Sequence, residues 1–233
     1  MELNKYIDHT NLNNTATLKD IEKLCDEAIK YKFASVYVYP YYVPLAVSLL
    51  KDTNIDVCTV IGFPSGMSTT NVKAYEAITA VEAGATEIDM VINISALKNK
   101  DYDYVKEEIE EIRDSIDGKV LKVIIETCLL TEEEIIKMTE ICNETYVNFI
   151  KTSTGFSKYG ARVEDIELIN EHKNDVLEIK ASGGIRNIET MESMIKVGAT
   201  RIGTSSGVKL MEILCECENC HCDHDNCNCK EEK

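Results

Sequence analysis

Short runs of aliphatic and β-branched residues alternate with longer segments that carry apolar residues at helical spacing, from residue 3 to about residue 213. The eight short runs, each a predicted strand, are Lys5–Thr10, Ala34–Tyr39, Asp56–Gly62, Glu87–Ile92, Val120–Glu126, Asn148–Thr152, Leu177–Ala181 and Arg201–Gly203. Eight strand–helix repeats are typical of an α/β fold of the (β/α)8 TIM barrel type, which we predict as a single domain over residues 1–214. An open doubly wound sheet is the second candidate, but no Gly-x-Gly-x-x-Gly follows any predicted strand.

The boundaries of the predicted helices carry capping signals. Thr17 precedes one apolar helical stripe, and Thr131 with Glu134 has the spacing of a capping box ahead of another. Gly84 and Gly198 each follow a predicted helix and precede Ala-Thr and a strand, which is where a left-handed C-cap is expected. These signals support the alternation of strands and helices.

The composition limits the possible partners. The chain of 233 residues has a formal net charge of −16 and no basic cluster, which argues against nucleic acid or an anionic membrane as a partner. An anionic substrate would need a local anion-binding site, because the negative charge of the whole protein repels it. The first residues lack a signal-peptide pattern and no apolar run could span a bilayer, so we expect a cytoplasmic protein. Four scattered cysteines are predicted core residues of a reducing compartment: Cys25, Cys58, Cys128 and Cys142.

Two lysines occupy matching positions in the sequence. Lys151 and Lys180 each end a short apolar run and are followed by small hydroxylated residues and glycine. Burial lowers the pKa of a lysine, and a second cation nearby lowers it further. A lysine that is neutral near pH 7 is an amine nucleophile, so this pair predicts carbonyl chemistry through a Schiff base.

Further ionisable residues fall on neighbouring predicted strands. In a parallel barrel the reacting groups collect at the C-terminal ends of the strands. Strand alternation places Asp89 on one face with Glu87, and Lys122 lies on the next strand, followed by the strands of Lys151 and Lys180. The alternative is a set of purely structural ion pairs, Asp89 with Lys122 and Lys180 with an unidentified carboxylate. Four ionisable residues on consecutive strands are more than a packed barrel core needs. We therefore favour a catalytic role for them over structural ion pairs.

Two loops rich in glycine and serine suggest an anion site. Gly183-Gly184 ends the seventh predicted strand, and Gly203-Thr204-Ser205-Ser206-Gly207 ends the eighth. Glycine lets the backbone approach a ligand, helix N-termini favour negative charge, and barrels commonly bind phosphate after strands seven and eight. Tight βα turns are the alternative for each loop alone, but the two together predict a phosphate site.

Six segments, in this order along the chain, resemble the 2-deoxyribose-5-phosphate aldolase family. They are Asp8-His9-Thr10, Gly62-Phe63-Pro64, Glu87-Ile88-Asp89-Met90-Val91, Lys122-Val123-Ile124-Ile125-Glu126, Lys151-Thr152-Ser153-Thr154-Gly155 and Lys180-Ala181-Ser182-Gly183-Gly184. The resemblance covers nearly everything up to about Leu214, and the motifs are highly specific as a set. It implies a class I aldolase, with no metal or other cofactor for catalysis, that reversibly cleaves 2-deoxy-D-ribose 5-phosphate to acetaldehyde and D-glyceraldehyde 3-phosphate.

The same resemblance implies roles for individual residues. Lys151 would be the Schiff-base lysine, and Asp89 with Lys180 the pair that donates and accepts protons. Lys122 would fix the charge state of Asp89. The residues that look like the phosphate cradle are Gly155, Gly183, Gly184, Gly203, Ser205 and Ser206. Relatives are commonly dimers or tetramers, so we expect a homo-oligomer that acts in deoxyribonucleotide and carbohydrate degradation.

The chain departs from this family in its tyrosines. Tyr37 stands where many relatives have a cysteine. Some relatives also end in a tyrosine that reaches toward the site, whereas this chain has no tyrosine after Tyr159. A proton relay through a C-terminal tyrosine is therefore not expected here.

Residues 215–233 differ from both the barrel and the family. This acidic, cysteine-rich segment lacks apolar residues, so we expect it to be disordered without a metal. Its thiolates suit zinc or copper(I), and the candidate ligands are Cys215, Cys217, Cys220, Cys222, Cys227 and Cys229. One alternative function is therefore a metal-binding or metal-sensing protein on an inactive barrel, and another is a Schiff-base aldolase for a different phosphosugar. Retention of Lys151, Asp89 and Lys180 together favours the lyase.

Overall fold

Eight parallel strands form a closed barrel in the order in which they occur in the chain. The computed structural model describes the backbone of residues 2–219 and the side chains of residues 2–214. The strands are β1 Ile7–Asn11, β2 Ser35–Val38, β3 Asp56–Ile61, β4 Glu87–Val91, β5 Val120–Ile124, β6 Phe149–Lys151, β7 Glu178–Ser182 and β8 Arg201–Thr204. β1 pairs with both β2 and β8, which closes the sheet and confirms the predicted (β/α)8 barrel.

The helices surround this sheet. Within residues 2–219 they are α1 Leu18–Tyr31, α2 Val43–Leu50, α3 Thr70–Glu82, α4 Ile94–Lys98, α5 Tyr102–Ser115, α6 Glu132–Glu144, α7 Val163–His172, α8 Ile188–Lys196 and α9 Gly207–Asn219. Single 3₁₀ turns occur at Leu3–Tyr6, Pro40–Tyr42 and Thr127–Leu129. The backbone of residues 215–219 continues α9, and the rest of the predicted cysteine-rich tail lies outside the described residues. Among the described helices, none is both long enough and apolar enough to cross a membrane.

The predicted capping signals are present in the structure. The Thr131 hydroxyl accepts a hydrogen bond from the Glu134 N–H, and the Glu134 carboxylate accepts one from the Thr131 N–H. Thr17 begins α1 with the same reciprocal arrangement. Gly84 and Gly198 have φ angles of 102° and 120°. Glycine is required there because a side chain disfavours positive φ.

Apolar residues pack between the sheet and the helices. Ile88, Ile150 and Ile179 face outward from their strands and belong to this main core. Successive side chains of a strand point to opposite faces, so Asp89 and Lys151 project into the barrel instead. The four cysteines predicted for the core are buried free thiols: Cys25, Cys58, Cys128 and Cys142. The interior of the barrel is therefore the region where buried charge collects.

One buried ion pair lies outside the barrel interior, between α3 and α5. The Lys73 Nζ is 2.7 Å from Glu108 Oε1 and donates a second hydrogen bond, also 2.7 Å, to the carbonyl of Val91. The other carboxylate oxygen of Glu108 accepts from the Asn93 N–H at 3.1 Å. Gly62 has a φ of 58°, and a Cβ there would lie 2.7 Å from the Lys73 side chain. This pair therefore fastens two helices to the end of β4.

Candidate active site

The register of the sheet brings the four predicted ionisable residues together. Asp89 of β4 is the direct neighbour of Lys122 on β5, and Lys151 of β6 is the direct neighbour of Lys180 on β7. All four side chains are buried. Because their strands are consecutive and their side chains point inward, they meet inside the barrel.

Asp89 is the centre of this group. Its Oδ2 atom accepts hydrogen bonds from the Nζ atoms of Lys151 and Lys180, each at 2.7 Å. Its Oδ1 atom lies 2.9 Å from the Nζ of Lys122. A single carboxylate is therefore shared by three lysine side chains, a closer arrangement than separate ion pairs would give.

Two more carboxylates and an arginine complete the network. Asp8 lies 2.5 Å from the Nζ of Lys180, so it is the unidentified carboxylate expected beside that lysine. Glu87 lies 2.6 Å from Lys122, and Arg201 bridges Asp8 and Glu87 at 2.7 and 3.1 Å. Among the described residues the network contains four basic side chains and three carboxylates, so it carries one surplus positive charge when all are ionised.

The three lysines of the network differ in their affinity for a proton. Burial lowers the pKa of Lys151 to about 8; Asp89 opposes this shift, and the positive charge of Lys180 adds to it. Burial acts in the same direction on Lys180, but Asp8 and Asp89 outweigh it and raise the pKa of that lysine. Burial is likewise outweighed at Lys122, whose pKa is raised well above its ordinary value, chiefly by Asp89. Lys151 is therefore the lysine of this network that gives up its proton most easily.

Asp89 keeps its negative charge in this environment. Burial alone would raise the pKa of its carboxyl, but Lys122, Lys151 and Lys180 together hold that pKa well below the ordinary value. The Cys58 Sγ is a further contact, 3.0 Å from Asp89 Oδ1. Burial raises the pKa of the Cys58 thiol, as does Asp89, so the thiol stays protonated.

A cavity of about 320 Å³ opens at the C-terminal ends of the strands and reaches Lys151. Five of the six predicted phosphate-loop residues line it: Gly155, Gly183, Gly184, Gly203 and Ser205. Ser206 is not among the lining residues, and its N–H donates to the Thr204 hydroxyl at 3.0 Å. The amine and both predicted loops therefore share one space.

The conformations of the loop glycines explain why glycine stands there. Gly155 and Gly184 have φ angles of 87° and 78°, and nothing lies within 4 Å of the position that a Cβ would occupy. Side chains disfavour this backbone conformation, and the open space lets a ligand approach the main chain. At Gly183 the reason is different, because a Cβ would lie only 2.8 Å from the Cα of Gly160. The loops after β6 and β7 are thus packed directly against each other.

Several residues at this site had no role in the sequence-based prediction. Tyr37 and Arg186 line the cavity, and Arg186 adds a positive charge beside the glycine loops. The buried carboxylate of Glu126 accepts hydrogen bonds from both the N–H and the hydroxyl of Thr154, which also lines the cavity. The sequence carried a signal for Arg186, since it lies two residues after Gly184. Glu126 has a φ of 55°, which is not a strand conformation. The direction of its side chain therefore cannot be predicted from strand alternation.

A metal ion does not fit the donor atoms inside the barrel. Within the described part of the chain, Asp8, Cys58 and Glu87 offer three potential ligand atoms within 4.8 Å of one another. Both carboxylates are already neutralised by lysine and arginine contacts at 2.5–3.1 Å, and the thiol is protonated. A divalent cation would have to displace those side chains. The cysteines proposed as ligands in the tail have no described side chains.

Comparisons with known proteins agree with this geometry. The model of the DeoC/LacD family of aldolases matches residues 3–211. The deoxyribose-phosphate aldolase of Finegoldia magna is 57% identical over 212 residues, which span 91% of this chain and 100% of the relative. That of Clostridium tetani is 54% identical over 213 residues, 91% of this chain and 99% of the relative.

Solved structures show the same fold. A structure described as the aldolase QR15 superposes with a TM-score of 0.90 at 45% identity and covers 93% of this chain and 97% of its own. A tetrameric deoxyribose phosphate aldolase from Aeropyrum pernix gives 0.86 at 32% identity, with 92% of each chain covered. The resemblance found in the sequence is confirmed, and the chain belongs to the DeoC/LacD family of aldolases.

Proposed function

We propose that the protein is a class I aldolase that reversibly cleaves 2-deoxy-D-ribose 5-phosphate into acetaldehyde and D-glyceraldehyde 3-phosphate. The observation that carries this proposal is the buried amine of Lys151, with a pKa of about 8, facing a cavity that it shares with the glycine loops. The relatives from Finegoldia magna and Clostridium tetani are named deoxyribose-phosphate aldolase, which supports this substrate.

The neutral Lys151 amine attacks the C1 aldehyde of the open-chain sugar and gives a carbinolamine. Loss of water produces a cationic iminium, which withdraws electrons from the bond between C2 and C3. When that bond breaks, the C3 hydroxyl loses its proton and becomes the aldehyde of glyceraldehyde 3-phosphate. The enamine that remains is protonated at C2, and hydrolysis releases acetaldehyde and the amine. The iminium is the electron sink, so the reaction requires no metal.

Asp89 and Lys180 are positioned for the proton transfers. The Oδ2 atom of Asp89 lies 2.7 Å from the Nζ of Lys151 and 2.7 Å from the Nζ of Lys180. In the proposed cycle Asp89 accepts and returns protons through a water molecule, and the Lys180 ammonium disfavours a charge on Lys151. Lys122 stays cationic and keeps Asp89 ionised.

The phosphate group would bind at the glycine loops after β6, β7 and β8. Gly155, Gly184 and Ser205 line the cavity there, and the Arg186 side chain provides a positive charge. Such a local anion-binding site is needed because the protein has a net charge of −16, which repels a phosphorylated substrate. The Aeropyrum pernix relative is described as a tetramer, and we propose that this chain also acts as a homo-oligomer, in the cytoplasm.

A cleavage assay tests this proposal. The purified chain is incubated with 2-deoxy-D-ribose 5-phosphate, and glyceraldehyde 3-phosphate is measured with a coupling dehydrogenase, with and without EDTA. We expect turnover that EDTA does not change and that exceeds turnover of ribose 5-phosphate and of unphosphorylated deoxyribose by at least about 100-fold. Absence of cleavage, inhibition by EDTA, or a preference for another phosphosugar would contradict the proposal.

A further inference from the structure

Tyr37 contacts two of the three lysines to which the proposed mechanism gives a role, Lys151 and Lys180. It lies on β2, points into the barrel and is 2% exposed. Its hydroxyl oxygen is 2.9 Å from the Nζ of Lys151. Its ring centroid is 4.3 Å from that nitrogen and 4.2 Å from the Nζ of Lys180, both within the range of cation–π contacts. Tyr37 therefore borders the reacting nitrogen directly.

The surroundings of Tyr37 keep its ring in place. It packs in a small inner apolar cluster with Leu12, Cys58 and Val60. The ring also lines the cavity that reaches Lys151, so a substrate bound at that amine would meet the phenol. A hydroxyl fixed beside the nitrogen is also close to the oxygen that a carbinolamine would carry on the adjoining carbon.

The phenol is protonated in the resting site, and its oxygen accepts a hydrogen bond from the Nζ of Lys151. Burial and the charge of Asp89 raise the pKa of Tyr37 well above 10, so the hydroxyl keeps its proton while Lys151 awaits substrate. Formation of a cationic iminium within contact distance would stabilise a phenolate, and the Lys180 ammonium over the same ring would stabilise it further. The hydroxyl thus becomes more acidic at the step at which an acid is required.

We propose that Tyr37 is the general acid that protonates the departing hydroxyl when the Lys151 carbinolamine loses water. This inference rests on the proposed function. The phenol O–H bond breaks, and its proton joins the carbinolamine oxygen as the C–O bond breaks toward that oxygen. The nitrogen lone pair then forms the C=N bond, and water leaves. When water later adds to the acetaldehyde iminium, the phenolate takes back a proton from it, so the cycle closes without another reactant.

The test is the rate at which the Lys151 iminium forms with acetaldehyde. Samples of the full chain are quenched with borohydride at set times, and the reduced adduct is measured by mass. Tyr37→Phe keeps the ring and removes the hydroxyl, so we expect adduct formation to slow by at least about 100-fold. Tyr39→Phe is the matched control, because Tyr39 packs edge-on against Phe63. Within the described residues its side chain makes no hydrogen bond or cation–π contact with Lys151 or Lys180, so the adduct of this variant should form at the native rate.

A second measurement separates an acid from a merely structural side chain. Added imidazolium buffer can replace a missing general acid, so it should accelerate adduct formation in Tyr37→Phe and leave the native chain unchanged. Equal rates in the native chain and Tyr37→Phe, or a slow variant that buffer does not rescue, would overturn the proposal. If Tyr37→Phe fails to fold, Tyr37→Leu, which also lacks the hydroxyl, replaces it in the same assay. If the native chain forms no adduct, the proposed function itself fails.

Discussion

Two regions of this molecule bury lysine, and they use it differently. Lys73 lies between α3 and α5 with Glu108, and Lys151 lies inside the barrel with Asp89; all four side chains are buried. Burial lowers the pKa of Lys73 as it lowers that of Lys151, with the neighbouring carboxylate opposing it in both cases. A lowered pKa is thus common to both regions and does not by itself indicate a nucleophile.

The regions differ in charge balance and in access. Lys73 and Glu108 form a pair, so loss of the Lys73 proton would leave a buried carboxylate without a counter-charge. The barrel network has one more basic group than carboxylates, so loss of the Lys151 proton brings it to balance. Lys151 also lines a cavity of about 320 Å³, whereas the Lys73 Nζ donates its hydrogen bonds to Glu108 and to the carbonyl of Val91. Surplus charge and open space, together with burial, distinguish the reactive lysine.

Substitution of Lys151 by Met should produce the largest effect. We expect kcat for 2-deoxy-D-ribose 5-phosphate cleavage to fall by on the order of 10⁴-fold or more, because no other amine lines the cavity in the described part of the chain. The variant should still fold, since Asp89 retains Lys122 and Lys180 as partners. The coupled assay and thermal unfolding check both statements. Appreciable turnover by a folded variant would contradict the role of Lys151.

Substitution of Lys73 by Met should reduce stability and leave catalysis unchanged. We expect the free energy of unfolding to fall by about 3–5 kcal/mol, because Glu108 is left buried and unpaired. At a temperature where the variant is folded, kcat should match the native value. Denaturant unfolding and the coupled assay measure these quantities. The double variant Lys73→Met with Glu108→Leu should regain most of the stability. A folded Lys73→Met variant without activity would contradict a purely structural role for Lys73.

Substitution of Glu126 by Gln should give a smaller, local effect. The change weakens the hydrogen bonds that position Thr154 beside Gly155 in the loop after β6. A charge-assisted hydrogen bond is worth about 1.5–3 kcal/mol, so we expect KM for the phosphorylated sugar to rise about tenfold or more. Cleavage of unphosphorylated deoxyribose provides the control, and kcat/KM for it should stay the same. Equal losses for both sugars would show that Glu126 does not act through the phosphate loop.

The sequence predicted those parts of the molecule that depend on local pattern. Strand alternation put Asp89 on one face with Glu87, the next three strands carried Lys122, Lys151 and Lys180, and the predicted strands match the observed ones to within a few residues. The first predicted strand began two residues early, because Leu3–Tyr6 form a 3₁₀ turn before β1. A turn of 4 residues is too short for its period of three to be distinguished from the two-residue alternation of a strand.

Contacts between distant segments could not be read from the sequence in the same way. Asp8 and Arg201 meet only because β1 pairs with β8, which no local pattern encodes. The sequence pattern did not single out Lys73, because its burial depends on the turn at Gly62 and the end of β4. The contact between Tyr37 and Lys151 joins strands on opposite sides of the barrel. Each of these contacts depends on closure of the sheet or on packing outside it.

The most direct test of a neutral Lys151 is the pH dependence of its trapping by acetaldehyde and borohydride. Only the free amine attacks the aldehyde, so below pH 8 the initial rate should fall about tenfold per pH unit, and above pH 8 it should level off. Mass analysis should locate the adduct on Lys151, and the Lys151→Met variant should give none. The expected midpoint lies near the Lys151 pKa of about 8. A midpoint near 10.5, the ordinary value for lysine, or an adduct on another residue would contradict it.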